Sequence, residues 1–173
     1  TRHEGGGLVG KLTRCQTDEH APVVSASTST LANLLRLDLG VDEALAADII
    51  ANLGKLLDPK RRDVGEALLE SALQALWNLA NTPAGKAAAI AAGLLDVLGQ
   101  KIRAARSPNV RRLSAGGVMA ITIAKDGKFQ SLSCADPLAE LLFNEAADMS
   151  IVRVAVGALK NMAEYPKARK HVD

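Results

Sequence analysis

The sequence is poor in aromatic side chains. They make up 2% of the 173 residues: one tryptophan, one tyrosine and two phenylalanines. Because the strands of sheet proteins favour aromatic and β-branched residues, this shortage argues against a sheet core. Hydrophobic residues nevertheless reach 48%. The core must therefore consist of Leu, Ala, Val and Ile, a supply that suits closely packed, alanine-rich helices.

Cysteine, long apolar runs and net charge are also scarce. The two cysteines, Cys15 and Cys134, lie far apart, so they predict no disulfide framework and suit a reducing, cytoplasmic compartment. The longest apolar run, Ala87–Leu95, has nine residues, whereas a membrane-spanning helix needs about 20, and no signal peptide is recognisable. The formal net charge of +2 is too small to indicate a nucleic acid or an anionic membrane as the partner.

The sequence holds no recognisable catalytic or metal-binding motif. The three histidines are scattered, and none stands at metal-ligand spacing from another histidine or a cysteine. The Gly-Lys pairs at 54–55, 85–86 and 127–128 lack the upstream glycine and the following Ser or Thr of a phosphate loop, and we interpret them as helix junctions. We therefore expect a non-enzymatic protein without cofactor, metal or small-molecule substrate, whose partners are other proteins.

One helical pattern recurs along the chain. Between Leu69 and Ala80 the apolar residues fall on a single stripe of a helix, and the same stripe returns 83 residues later between Val152 and Ala163. Asn78 within it is matched by an asparagine 45 residues earlier, and the equivalent positions after it follow at 42 and 41 residues. The four equivalent positions are Asn33, Asn78, Ala120 and Asn161. Periods of about 40 to 47 residues are typical of helical repeat proteins.

Each repeat is predicted to contain a short, a medium and a long helix. The expected organisation is one repeat domain over 1–173, with a partial repeat at 1–38, repeats at 39–81, 82–124 and 125–164, and the start of a further helix at 165–173. Long helices are predicted near 21–37, 63–81, 108–124 and 149–164. Capping residues mark several starts: Asp63 with Glu66, Thr82, Ser107 and Asp136. Since the chain opens at Thr1 inside a partial repeat, we expect it to be a piece of a longer protein.

The repeated pattern A-L-x-N-[LM]-A, followed by a proline turn, [GA]-[KR] and A-G-L-L-x-x-L, resembles the armadillo repeat family over nearly the whole chain. The resemblance implies an all-α, right-handed solenoid without a sheet, whose long helices line a groove. It also implies that Asn33, Asn78 and Asn161 bond the backbone of an extended peptide. Family members that bind nuclear-localisation peptides carry a Trp four residues before the repeat Asn. Here those positions are Ser29, Gln74, Gly116 and Gly157, so a nuclear-import groove is not expected.

The candidate partner-binding residues lie off the apolar stripe of the long helices. Trp77 suits an interface hot spot, and Lys160 and Glu164 are expected close to the asparagine ladder. The alternative is that Trp77 packs against the next repeat and the asparagines serve helix ends; the sequence leaves both open. The full candidate set is Asn33, Gln74, Trp77, Asn78, Asn81, Lys160, Asn161 and Glu164.

A basic run provides a second candidate surface. Its members are Lys101, Arg103, Arg106, Arg111 and Arg112, and no acidic residue intervenes between Asp96 and Asp126. The run is either a solvated helix end and loop or a docking patch for an acidic protein surface. Nucleic acid is the weaker alternative, because no aromatic residues interleave with the charges. Ser114 follows two arginines as in a kinase site, but it falls inside a predicted helix.

Residues 113–172 resemble, more narrowly, the C-terminal repeats of the radial-spoke armadillo protein of motile cilia. The shared features are an Ala-Gly-rich long helix, the turn Gly127-Lys128-Phe129 and a closing Pro-x-x-Arg-Lys. This resemblance implies a structural component of the ciliary axoneme. Two functions therefore remain open: a scaffold in such an assembly, or a cytosolic module that binds extended peptides reversibly.

Overall fold

The computed structural model describes residues 7–61, 63–144 and 148–166. Within them the chain forms eleven α-helices and one 3-10 turn, Ser131–Cys134, and no strand. The helices are α1 Leu8–Cys15, α2 Ala21–Leu35, α3 Val41–Ala46, α4 Ile49–Leu57, α5 Glu66–Ala80, α6 Pro83–Ala91, α7 Leu94–Ala104, α8 Pro108–Ile121, α9 Lys125–Gln130, α10 Ala135–Asn144 and α11 Met149–Ala163. None of these described helices is long and apolar enough to cross a membrane.

The helices form a solenoid, which confirms the predicted fold class. The long helices α2, α5, α8 and α11 pack side by side in chain order, each against the next. The medium helices α1, α4, α7 and α10 each pack against the long helix of the same repeat. The apolar stripes seen in the sequence are thereby buried between neighbouring repeats, as expected for a stack stabilised by nearest-neighbour contacts.

Several helix ends differ from the prediction for local reasons. The capping box at Asp63 is wrong: α5 begins at Glu66 after Gly65, whose position carries no side-chain cap. The Asp63 carboxylate instead binds the Arg61 guanidinium. The caps predicted at Thr82 and Ser107 are confirmed, since their hydroxyls accept hydrogen bonds from the N–H groups of Gly85 and Val110, at 3.1 and 3.5 Å.

The last repeat departs most from the predicted helices. The helix expected near 127–134 is split into α9 and the 3-10 turn, and α10 begins at Ala135, ahead of the predicted cap at Asp136. Nearly all of the further helix predicted at 165–173 lies outside the described residues. The repeat boundaries themselves remain a prediction.

The stack is open on the side of α11 that faces away from α8. In the row of equivalent positions Thr28, Leu73, Ala115 and Val156, the first three side chains are at most 1% exposed, whereas Val156 is 48% exposed. Leu159 is likewise only partly buried, while its equivalents Leu31, Leu76 and Val118 are fully buried. An apolar strip on α11 is therefore left uncovered by the described residues.

Candidate protein-interaction surface

The long helices share one exposed face. Its side chains recur at i, i+4, i+7 and i+11 along each helix, which places them on a single stripe. We call the stripes of α5, α8 and α11 together the long-helix face. Its members are Glu70, Gln74, Trp77 and Asn81 on α5, Arg112, Gly116, Met119 and Ile123 on α8 with its extension, and Arg153, Gly157, Lys160 and Glu164 on α11 with its extension.

Trp77 is held in one orientation on this face. It is half-buried, and the guanidinium carbon of Arg112 lies 5.9 Å from its ring centroid. The backbone of Gly116 approaches so closely that a Cβ there would lie 2.6 Å from the ring carbons Cε3 and Cζ3. The ring thus packs against the next repeat, as one of the two sequence interpretations predicts, and still keeps part of its surface accessible.

The same arrangement occurs one repeat later. A Cβ at Gly157 would lie 2.5 Å from the Met119 sulfur, and Met119 occupies the repeat position of Trp77. Gly116 and Gly157 stand where the peptide-binding members of the resembled family carry tryptophan. They are small because a large side chain of the preceding helix fills the space. A large residue before the repeat position followed by a glycine 38 or 39 residues later was the sequence signal for these missed pairs.

Two of the repeat asparagines form bonds within the chain. Asn78 is 6% exposed; its Nδ2 donates to the Ala32 carbonyl at 2.8 Å, and its Oδ1 accepts from Gln74 Nε2 at 3.0 Å. Asn161 Nδ2 donates to the Met119 carbonyl at 3.0 Å. Both acceptors immediately precede the equivalent position of the neighbouring long helix, so the same tie joins α2 to α5 and α8 to α11.

The position of these asparagines bears on the predicted peptide ladder. Asn33 presents an exposed side chain, whereas Asn78 and Asn161 already spend a donor on the preceding helix. The sequence could place the three in one row but could not name their acceptors, because that requires the distance between helices. Peptide bonding by Asn33, Asn78 and Asn161 remains a prediction.

Replacing Asn78 with alanine should lower the free energy of unfolding by about 1 to 2 kcal/mol, because it removes a buried hydrogen bond and leaves the Ala32 carbonyl without that donor. Urea denaturation followed by circular dichroism measures the change. Asn33→Ala is the matched control, since it removes the equivalent side chain where it is exposed, and it should stay within about 0.5 kcal/mol of wild type. Equal effects of the two substitutions would refute the tie.

The remaining candidate residues of the long-helix face lie at the ends of α5 and α11. Asn81 is exposed at the C-cap of α5, and Lys160 is exposed on α11. The Glu164 carboxylate accepts a hydrogen bond from the Lys128 ammonium of α9, which holds the pKa of Glu164 below its usual value. This ion pair ties the short helix of the last repeat to the end of its long helix.

The predicted basic patch is divided by the structure. Arg111 donates to the carbonyls of Ala105 and Arg106, at 2.7 and 3.1 Å, and so braces the connection between α7 and α8. Arg112 instead lies against Trp77 and donates two bonds to Asn109 Oδ1, at 3.2 and 2.8 Å. Lys101 is half-buried, while Arg103 and Arg106 are exposed on the connection side. The five cations therefore do not form one continuous surface.

The nucleophilic and modifiable side chains are withdrawn from solvent. Ser114 is fully buried, and its hydroxyl donates to the Val110 carbonyl, so a kinase has no access to it in the folded chain. The buried Cys134 thiol donates to the Leu95 carbonyl at 3.3 Å, and burial raises its pKa to about 11. In the described part of the chain, no group of three or more His, Cys, Asp or Glu residues could hold a metal ion.

Comparison with known proteins identifies relatives by structure alone. No protein-family model matches the sequence, and no curated protein matches it. Among solved structures, a designed armadillo repeat protein superposes with a TM-score of 0.84 at 21% identity, over 95% of this chain and 68% of its own. Another, in complex with the peptide (KR)4, gives a TM-score of 0.82 at 20% identity over the same shares.

A further match is an engineered protein with a TM-score of 0.85 at 23% identity, covering 96% of this chain and 40% of its own. Identities of this size establish a common fold and nothing finer. The chain has the right-handed α-solenoid fold of armadillo repeat proteins.

Proposed function

We propose that this chain is a non-enzymatic protein-interaction module that holds an extended segment of a partner on its long-helix face. The observation that carries the proposal is the setting of Trp77, which is fixed between Gly116 and Arg112 and yet partly exposed. An aromatic anchor that is already ordered loses little conformational entropy on binding, and such residues dominate interface energies.

The fold supports this proposal. A stack of helical repeats presents a continuous surface in which each repeat adds one stripe of side chains. The designed armadillo repeat protein in complex with (KR)4 is an instance of the same fold together with a peptide. The long-helix face of this chain offers polar and aromatic groups, Gln74, Trp77 and Asn81, in its central repeat.

The test is a selection of binders from a random octapeptide library on the immobilised protein. Trp77 is the one tryptophan of the chain, so its fluorescence reports binding of each enriched peptide. We expect Asn81→Ala to weaken that binding at least threefold, because it removes an exposed amide beside Trp77. Asn144→Ala, which removes an exposed amide at the end of α10, is the matched control and should leave the affinity unchanged. Failure to enrich any peptide would refute the proposal.

A fixed place in a larger assembly is the second candidate. It is favoured by the uncovered apolar strip at Val156 and Leu159, which suits permanent burial against another subunit. The axonemal version of this role, which follows from the radial-spoke resemblance, is tested by fractionating the native source. Retention of the protein in detergent-extracted axonemes would support it, and recovery as a soluble monomer would exclude it.

A further inference from the structure

The charges on the long-helix face are unevenly distributed. Glu70 on α5 is followed at the equivalent positions of the next two long helices by Arg112 and Arg153, and Lys160 occupies the repeat position of Trp77. The α8 and α11 part of the face is therefore basic where the α5 part carries an acid and an aromatic ring.

The cations of this region keep their charge available. Arg112 is hydrogen-bonded to a neutral amide, Asn109. The side chains of Arg153 and Lys160 are exposed and make no hydrogen bond or ion pair with the described residues. Arginine binds a carboxylate through two parallel N–H donors, so Arg112 and Arg153 offer two such sites on adjacent helices.

The acids near these cations are already engaged. The Asp148 carboxylate accepts from the N–H groups of Ser150 and Ile151 at the start of α11, and Glu164 is paired with Lys128. Within the described part of α8, α9 and α11, this face thus carries an excess of positive charge beside Trp77. A basic segment would meet like charge there, which opposes binding.

We propose that the partner segment is acidic: an extended peptide whose carboxylates bind Arg112, Arg153 and Lys160, and whose apolar side chain packs on Trp77 and Met119. This inference rests on the proposed function and adds the chemistry of the ligand. It is the opposite charge preference to that of the (KR)4 peptide in the designed neighbour's complex. A protein segment is favoured over a nucleic acid, because Trp77 is the single aromatic ring on the long-helix face and stacking needs successive rings.

The composition of the peptides enriched from the random octapeptide library tests the inference. We expect Asp and Glu to rise at least twofold over the input library, and the affinity of the most enriched peptide to fall about tenfold from 50 to 300 mM NaCl, since salt screens exposed charges. The oligonucleotide dT12 should bind at least tenfold more weakly than that peptide. Enrichment of neutral or basic peptides, or equal binding of dT12, would overturn the acidic assignment and leave peptide binding itself intact. No enrichment at all would remove both proposals.

A pair of charge-reversal variants locates the site. Arg153→Glu with Lys160→Glu should weaken the acidic peptide at least tenfold, because both substitutions act on the long-helix face. Arg103→Glu with Arg106→Glu changes the net charge equally on the connection side and should weaken it less than twofold. All four side chains are exposed, so unchanged unfolding midpoints are expected. The reverse pattern of losses would assign the acidic partner to the connection side and refute the inference.

Discussion

Replacing Gly85 with alanine is expected to destabilise the fold by about 3 kcal/mol or more, at the upper end of what overpacking costs. Gly85 is buried in the first turn of α6, and a Cβ there would overlap the carbonyl oxygen of Leu79 at the end of α5. No rotamer relieves this contact, because the obstacle is backbone. The short helix must therefore move off the long one. Urea denaturation followed by circular dichroism should show a lower midpoint.

The same contact recurs one repeat later, where a Cβ at Gly127 would overlap the Ile121 carbonyl, so Gly127→Ala should act in the same direction. Gly54→Ala is the matched control. Gly54 lies inside α4, and its Cβ would meet Leu94 Cδ2 at 3.6 Å, an ordinary contact. Alanine favours a helix over glycine by about 1 kcal/mol, so this variant should equal or exceed wild type in stability. A Gly85→Ala variant as stable as Gly54→Ala would show that α6 is not seated on α5 as described.

The second large effect is expected at Gly116. Gly116→Ala should lower stability by about 2 kcal/mol, because the added methyl group meets the Trp77 ring and forces it away from α8. Trp77→Ala alone should also cost about 2 kcal/mol through lost packing. In the double variant the new methyl group has room, so its cost should vanish. The two substitutions should therefore be non-additive by about 2 kcal/mol.

The displaced ring also provides a direct signal. In Gly116→Ala the Trp77 emission should move to longer wavelength, because the indole becomes more exposed to water. Gly117→Ala serves as the neighbouring comparison: its Cβ would lie 3.1 Å from Leu98 Cδ1, away from the ring, so the emission should stay unchanged. Additive free energies in the cycle would mean that Trp77 and Gly116 are not in contact.

The repeat architecture was predictable because helix burial leaves a strong periodic trace. A stripe such as Leu69 to Ala80 is visible in the sequence alone, and its recurrence reveals the stacking partner without coordinates. Helix starts were less certain. Asp63 and Glu66 satisfy the pattern of a capping box, but Asp63 finds Arg61 closer to hand, and Gly65 precedes the helix instead. Such competition between local partners is decided by loop geometry, which has no periodicity.

The candidate surface was predictable only in part. The sequence placed Trp77, Asn78 and Asn161 on the long helices but could not tell which side chains lie between helices. Asn78 binds the Ala32 carbonyl 46 residues away, and Gly116 receives the Trp77 ring from the preceding repeat. Both depend on how closely two helices approach. The basic residues were found by proximity in sequence, whereas Arg153 shares a row with Arg112 only in the stacked structure.

The size pairing across the long helices has a consequence for the order of the repeats. Trp77 and Met119 each face a glycine one repeat later, whereas the small Ala32 is followed by the larger Gln74 at that position. Exchanging α5 with α8 would bring Met119 against Gln74 and leave Ala32 opposite Gly116, so one junction would be overfilled and the other hollow. An array of identical modules tolerates any permutation. This chain encodes its own sequence of units in side-chain volume, and its modules are not interchangeable.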